Sequence, residues 1–134
     1  MKSLNRSLDI GTRLIAAGIL GYSVFLKFSG AAVFVYFFQR LGMEPYGRYA
    51  VGALECIAII LMLIPKQSWR GATLGALMMF GAIFMHMVSG EIVIRPLGGG
   101  TGDGGLMFGA AMVELFCCMG VLAMRESEPE TEFS

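Results

Sequence analysis

Four stretches of this 134-residue chain are each long and apolar enough to cross a bilayer, which takes about 17–25 mostly apolar residues at about 1.5 Å of rise per residue. They run over approximately Ile10–Phe28, Tyr49–Pro65, Gly71–Ser89 and Leu106–Met124. Turn-forming or polar residues divide them: Glu44-Pro45-Tyr46-Gly47, then Pro65-Lys66-Gln67-Ser68-Trp69-Arg70, then the glycine-rich run Gly98–Gly105. A backbone in hydrocarbon must satisfy its own hydrogen bonds, so such stretches become helices. The expected fold is all-α, a four-helix transmembrane bundle occupying residues 1–125, followed by an acidic, mobile tail over 126–134. An extra apolar patch, Ala31–Phe38, is too short to span and reads as a short interfacial helix after the first span, its aromatics at headgroup depth. The alternative is that it lengthens the first helix past Gly30.

Composition agrees with lipid as the main solvent. Hydrophobic residues make up 56% of the chain and charged residues 15%, against about 25% charged in an ordinary soluble domain. Ten Lys and Arg balance ten Asp and Glu, so no basic surplus exists to hold nucleic acid, and that partner is excluded.

Orientation follows from the positive charges beside the spans. With both termini in the cytoplasm, Lys2, Arg6, Arg13, Lys66, Arg70 and Arg125 lie inside and Lys27, Arg40, Arg48 and Arg95 outside. Six against four places both termini in the cytoplasm and the chain, multi-pass, in an inner (cytoplasmic) membrane. A signal-peptide reading of residues 1–31 fits poorly, because Lys27 falls late in the apolar run.

Membrane helices pack through small residues and polar contacts, so spacing marks the inward faces. In the fourth span Ala110, Ala111, Glu114, Cys117, Cys118 and Val121 share one face, opposite Phe108, Met112, Leu115, Met119 and Leu122. Ala72, Gly75, Met79, Ala82, His86 and Ser89 form the corresponding face of the third span, and Gly52, Glu55, Ala58 and Ile59 that of the second. Measured from the outer ends of the spans, Glu55 lies about 9 Å deep, Glu114 about 12 Å, His86 about 4–5 Å and Lys27 about 1–2 Å. These four are the candidate ligand-binding residues around one outward-opening cavity. Tyr22 joins them less directly: it shares a face with Gly11, Ile15 and Gly18 and lies about 140° around the helix from Lys27. Ionisable groups at such depth cost about 2.5–3.5 kcal/mol each and are normally paired or beside water. The competing structural reading is a buried network that fixes packing. Glu55 and Glu114, about 3 Å apart along the membrane normal, are expected not to be charged together if they face each other, with His86 or Lys27 offsetting the charge that remains.

Other motifs carry less chemistry. Glu55, His86 and Glu114 lack the Glu-x-x-His pairing of a bundle metal site, and no metal is expected. Cys56, Cys117 and Cys118 read as small packing residues; a vicinal bridge would be strained, and a Cys56 bridge to the last helix stays open. The glycine run lacks the Gly-Lys-Ser/Thr ending of a phosphate loop and reads as a pliable outer loop. Eleven methionines spread through the spans read as adaptable packing.

Arg13, then Gly18-x-x-Gly21-Tyr22 and Lys27; Leu54-Glu55, then Leu63-Ile64-Pro65; Ala82-x-x-x-His86; and Asp103-Gly104-Gly105-Leu106-x-Phe108 together resemble the DoxX/DoxX-like family of small four-helix membrane proteins. The resemblance covers about Arg13 to Met124. It implies redox association, since relatives include a subunit of a thiosulfate:quinone oxidoreductase and others are linked to membrane thiol and oxidative-stress complexes. A more distant animal relative assists receptor assembly. Two functions follow as expectations. The first is a binding subunit whose cavity holds a small amphipathic molecule, a quinone or a lipid, for a redox- or proton-linked complex. The second is an assembly factor or scaffold without catalysis of its own. No haem, flavin or nucleotide motif lets the chain move electrons alone, and the cofactor is left open, with a quinone as the candidate. The expected partners are the lipid bilayer, a membrane or redox protein, and a second copy of the chain.

Overall fold

The computed structural model describes residues 2–94 and 102–126. Arg95 of the charge count, residues 98–101 of the glycine run and the acidic tail over 127–134 lie outside the described residues. Five helices follow in order: α1 (Lys2–Ser29), α2 (Ala32–Arg40), α3 (Tyr46–Leu63), α4 (Ser68–Ser89) and α5 (Leu106–Glu126). Four of them, all but α2, are long and apolar enough to cross a membrane. The all-α bundle expected from the sequence is therefore present, and the chain is a multi-pass membrane protein.

Each boundary has a local cause. α1 ends where Gly30 adopts φ 75°, a left-handed conformation open to glycine, and the chain then restarts as α2. Gly30 thus settles the choice: the patch after it is a separate helix. α3 stops before Pro65, which opens a single tight turn, Pro65–Gln67, and hands the chain to α4. α4 ends on Gly90 at φ 71°, whose N–H and that of Glu91 bond back to the Met87 and His86 carbonyls. Asp103 starts α5: its carboxylate accepts from the N–H groups of Gly105 at 2.9 Å and Met107 at 3.0 Å. It also receives the Ile94 N–H at 2.9 Å and returns its own N–H to the Ile94 carbonyl at 3.0 Å.

α1 packs against α3 and α5, and α4 packs against the same two, so the four spans form a ring. Small residues set the approach. A Cβ on Gly71 of α4 would lie 2.5 Å from the Met62 nitrogen and 2.7 Å from the Ala58 carbonyl oxygen of α3. Ala16, Ala58, Ala72, Ala111 and Cys118 continue this interior.

Polarity is inverted relative to a protein in water. Lys27, Arg48, Glu55, His86 and Glu114 are buried, whereas Phe25, Leu77, Phe80 and Phe116 stand exposed. An exterior of large apolar side chains around charged ones fits hydrocarbon as the surrounding solvent.

α2 departs from the sequence expectation in one respect. Phe34, Phe37 and Phe38 are buried against Ile94 and form a second core cluster. They roof one end of the bundle, so their rings face inward. Covering the charged groups at this end takes apolar surface, and these rings supply it.

Candidate functional site

The end of the bundle nearest α2 holds a cavity of about 850 Å³. Its polar end is built on one face of α1. Ala16, Leu20, Ser23 and Lys27 recur at helical spacing, and this face meets Glu55 of α3. The Lys27 ammonium donates to both Glu55 carboxylate oxygens, at 2.9 and 3.0 Å, and to the Ser23 hydroxyl. That hydroxyl lies 3.4 Å from each Glu55 oxygen. The ammonium also sits 4.4 Å from the centroid of the Phe34 ring in the α2 roof. Lys27 is 4% exposed and Glu55 1%, so the pair is fully withdrawn from the bundle surface.

Arg48, at the start of α3, braces this corner. It bonds the Glu44 carboxylate through Nε at 2.9 Å and donates from Nη1 to the Lys27 backbone carbonyl. The Lys27 carbonyl, which also accepts the Gly30 N–H at 3.4 Å, thereby gains a second donor, and Lys27 is fixed from behind.

His86 enters the cavity wall from α4. Its Nδ1 lies 2.8 Å from the Glu91 carbonyl oxygen. A carbonyl only accepts, so Nδ1 carries the proton of that bond and Nε2 is the ring's remaining polar atom. The imidazole stacks on Phe37 at 4.7 Å and meets the edge of Phe108 at 5.7 Å. Glu91 in turn ties α2 down, accepting from the Tyr36 hydroxyl at 3.2 Å and facing Arg40 at 3.4 Å.

Lys27, Glu55, His86 and Tyr22 all line the cavity. Glu114 does not. It is fully buried behind Ala110 and Ala111, its Oε1 accepts from the Cys118 thiol at 3.6 Å, and its Oε2 has no hydrogen-bond partner among the described residues. It interacts electrostatically with Glu55, but Glu55 is held by a cation. Of the two groups expected to offset the charge, Lys27 is the one that pairs with Glu55, and Glu114 is left nearby as a second, isolated carboxyl. Tyr22 marks the rim: it is 60% exposed, on a face shared with the exposed Ile15 and Gly18. The three cysteines are free thiols, so the Cys56 bridge to the last helix is not made. No group of three potential metal ligands comes together among the described residues.

Ser23, Arg48 and Phe108 were missed from sequence. Ser23 was legible in the spacing Ala16, Leu20, Ser23, Lys27. Arg48 resembles an ordinary flanking charge until the loop from α2 folds back. Phe108 reads as lying on the face opposite Glu114, and from there its ring meets the His86 imidazole.

Comparison with protein-family models, with curated proteins and with solved structures finds no match.

Proposed function

We propose that this chain is an inner-membrane protein of the DoxX-like type whose cavity binds a membrane amphiphile, a quinone or a lipid, on behalf of a redox- or proton-linked complex. One observation carries this reading: the Lys27–Glu55–Ser23 cluster and His86 form a small polar end in a cavity otherwise walled by apolar side chains. A volume of about 850 Å³ falls in the range of about 300–1,000 Å³ that suits small-molecule sites. The rim supports an occupant that arrives through the bilayer. Ile15, Gly18 and Tyr22 line the cavity and are also exposed, and they belong to a span, so what they face outside is hydrocarbon. A quinone carbonyl would accept from Lys27, while a carboxylate near it would exchange the accompanying proton. Electrons would come from the partner. Phe34, Phe37 and Phe38 are buried and so are not presented to a partner protein, which favours the cavity over an assembly factor.

The test is a titration of the purified protein in nanodiscs with a short-tailed quinone, beside native mass spectrometry for retained lipids. Saturable binding that Lys27→Met abolishes is the expected result. Binding of neither molecule by a folded protein overturns the proposal. Orientation is checked separately: a Cys placed at Thr101 should react with an impermeant reagent from the periplasm and one at Ser68 should not. The opposite pattern inverts the topology.

A further inference from the structure

A second cluster lies at the other end of the bundle, where α3 turns into α4 and α5 finishes. Two guanidinium groups converge on the half-buried Trp69 indole: Arg125, from the last turn of α5, at 4.5 Å from a ring centroid, and Arg70, its neighbour on α4, at 5.3 Å. Lys66 adds an exposed ammonium from the tight turn. Leu63 and Ile64, exposed by 46% and 44%, immediately precede that turn and continue the lipid-facing wall. Asp9, on the same end of α1, is taken by Arg13 at 3.1 Å.

We propose that Trp69, Arg70 and Lys66 bind the phosphate of an anionic phospholipid headgroup. Arg70 and Lys66 are exposed cations flanking the indole in sequence, and a phosphate is attracted to both. A guanidinium presents a planar fork of N–H donors that matches phosphate oxygens in pairs. An indole is also at home at headgroup depth, with its ring among chains and its N–H toward water. The exposed Leu63 and Ile64 decide between a lipid and a free phosphate ion, because they offer the acyl chains an apolar surface directly beside the cationic rim. This site is independent of the cavity near α2 and takes a different part of a different molecule.

The test uses the full-length protein in a neutral maltoside detergent, offered phosphatidylglycerol and phosphatidylcholine with identical acyl chains. Native mass spectrometry counts the lipid retained. Trp69 is the single tryptophan, so its fluorescence reads the site directly. A preference for phosphatidylglycerol of about tenfold or more is expected, falling to near parity in Lys66→Gln/Arg70→Gln. High salt should erode the preference of the unaltered protein in the same way, which keeps the proposal testable if the double variant folds poorly. Equal retention of both lipids, or an unchanged preference in the folded double variant, overturns the proposal. Inorganic phosphate alone quenching or shifting the fluorescence as fully as the lipid would mean a free-ion site and overturns it too. So would a chain that accepts the lipid only after Glu128, Glu130 and Glu132 are changed to Gln, since the acidic tail would then be the occupant.

Discussion

Lys27→Met removes one half of a buried ion pair and leaves the other half charged. At about 3 Å and an effective dielectric constant of about 20, the attraction lost is about 5–6 kcal/mol. Not all of it appears as instability, because both charges had to leave water to form the pair. Removing one partner of such a pair typically costs about 3–5 kcal/mol, most of it the penalty of an uncompensated charge. Glu55 is 1% exposed and keeps only Ser23, at 3.4 Å, so the upper part of that range applies. The Phe34 contact at 4.4 Å adds about 0.5–2 kcal/mol to the loss. Lys27→Met/Glu55→Met leaves no charge behind and fills similar volume, so it should recover to within about 1–2 kcal/mol of the original protein. Glu55→Gln should behave like the Lys27 single variant, because it leaves the ammonium buried without its carboxylate. Equilibrium unfolding in mixed micelles of dodecyl maltoside and sodium dodecyl sulfate, followed by circular dichroism, measures all four proteins. A double variant as unstable as either single one would refute the reasoning, because the penalty would then come from lost packing and not from a stranded charge.

Glu114 should respond in the opposite sense: with one carboxylate oxygen unpartnered and only a thiol on the other, Glu114→Leu should stabilise by about 1–3 kcal/mol and exceed Glu114→Gln in the same unfolding assay. Gly71→Ala should destabilise by about 1–3 kcal/mol, since its new Cβ meets α3 backbone at 2.5 Å, while Gly81→Ala, with nothing within 4 Å, should be neutral or stabilise by up to about 1 kcal/mol. Gly18→Phe should abolish quinone or lipid binding in the nanodisc titration without altering the unfolding midpoint, because the rim at Gly18 is open space on an exposed face. Asp103→Ala strands three N–H groups and should cost about 1–3 kcal/mol; hydrogen exchange should show the loss first at Ile94, Gly105 and Met107.

The spans were legible because lipid imposes a length and a composition on any helix that crosses it. The inward faces of α3 and α4 were legible for a related reason: Gly52, Glu55 and Ala58, and Gly75, Met79 and His86, keep small or polar residues in register with a 3.6-residue turn, and all are buried. The pairing inside was not legible. Depth along the membrane normal places Glu55 and Glu114 together, but it holds no information on rotation about each axis or on which helices are neighbours in the ring. Lys27 belongs to α1 and Glu55 to α3, which are adjacent, and that adjacency makes Lys27, and not His86, the group that offsets Glu55. α2 escaped for another reason. Its run of aromatics is apolar all round, so no periodicity distinguishes a helix floating in the interface from one pressed onto a buried charge.

The reciprocal bonds between Ile94 and Asp103 give the connection between α4 and α5 a fixed doorway. The two ends of the connection are held together at one point, so helix placement does not depend on how many residues pass between. Lengthening a connection whose ends are already joined carries an entropic penalty that grows only logarithmically, about 0.6 kcal/mol for each doubling. The doorway therefore makes the stretch from 95 to 101 a natural socket: an epitope or a small fluorescent domain inserted there would report the exposed side of the membrane while the bundle behind it stays as it was.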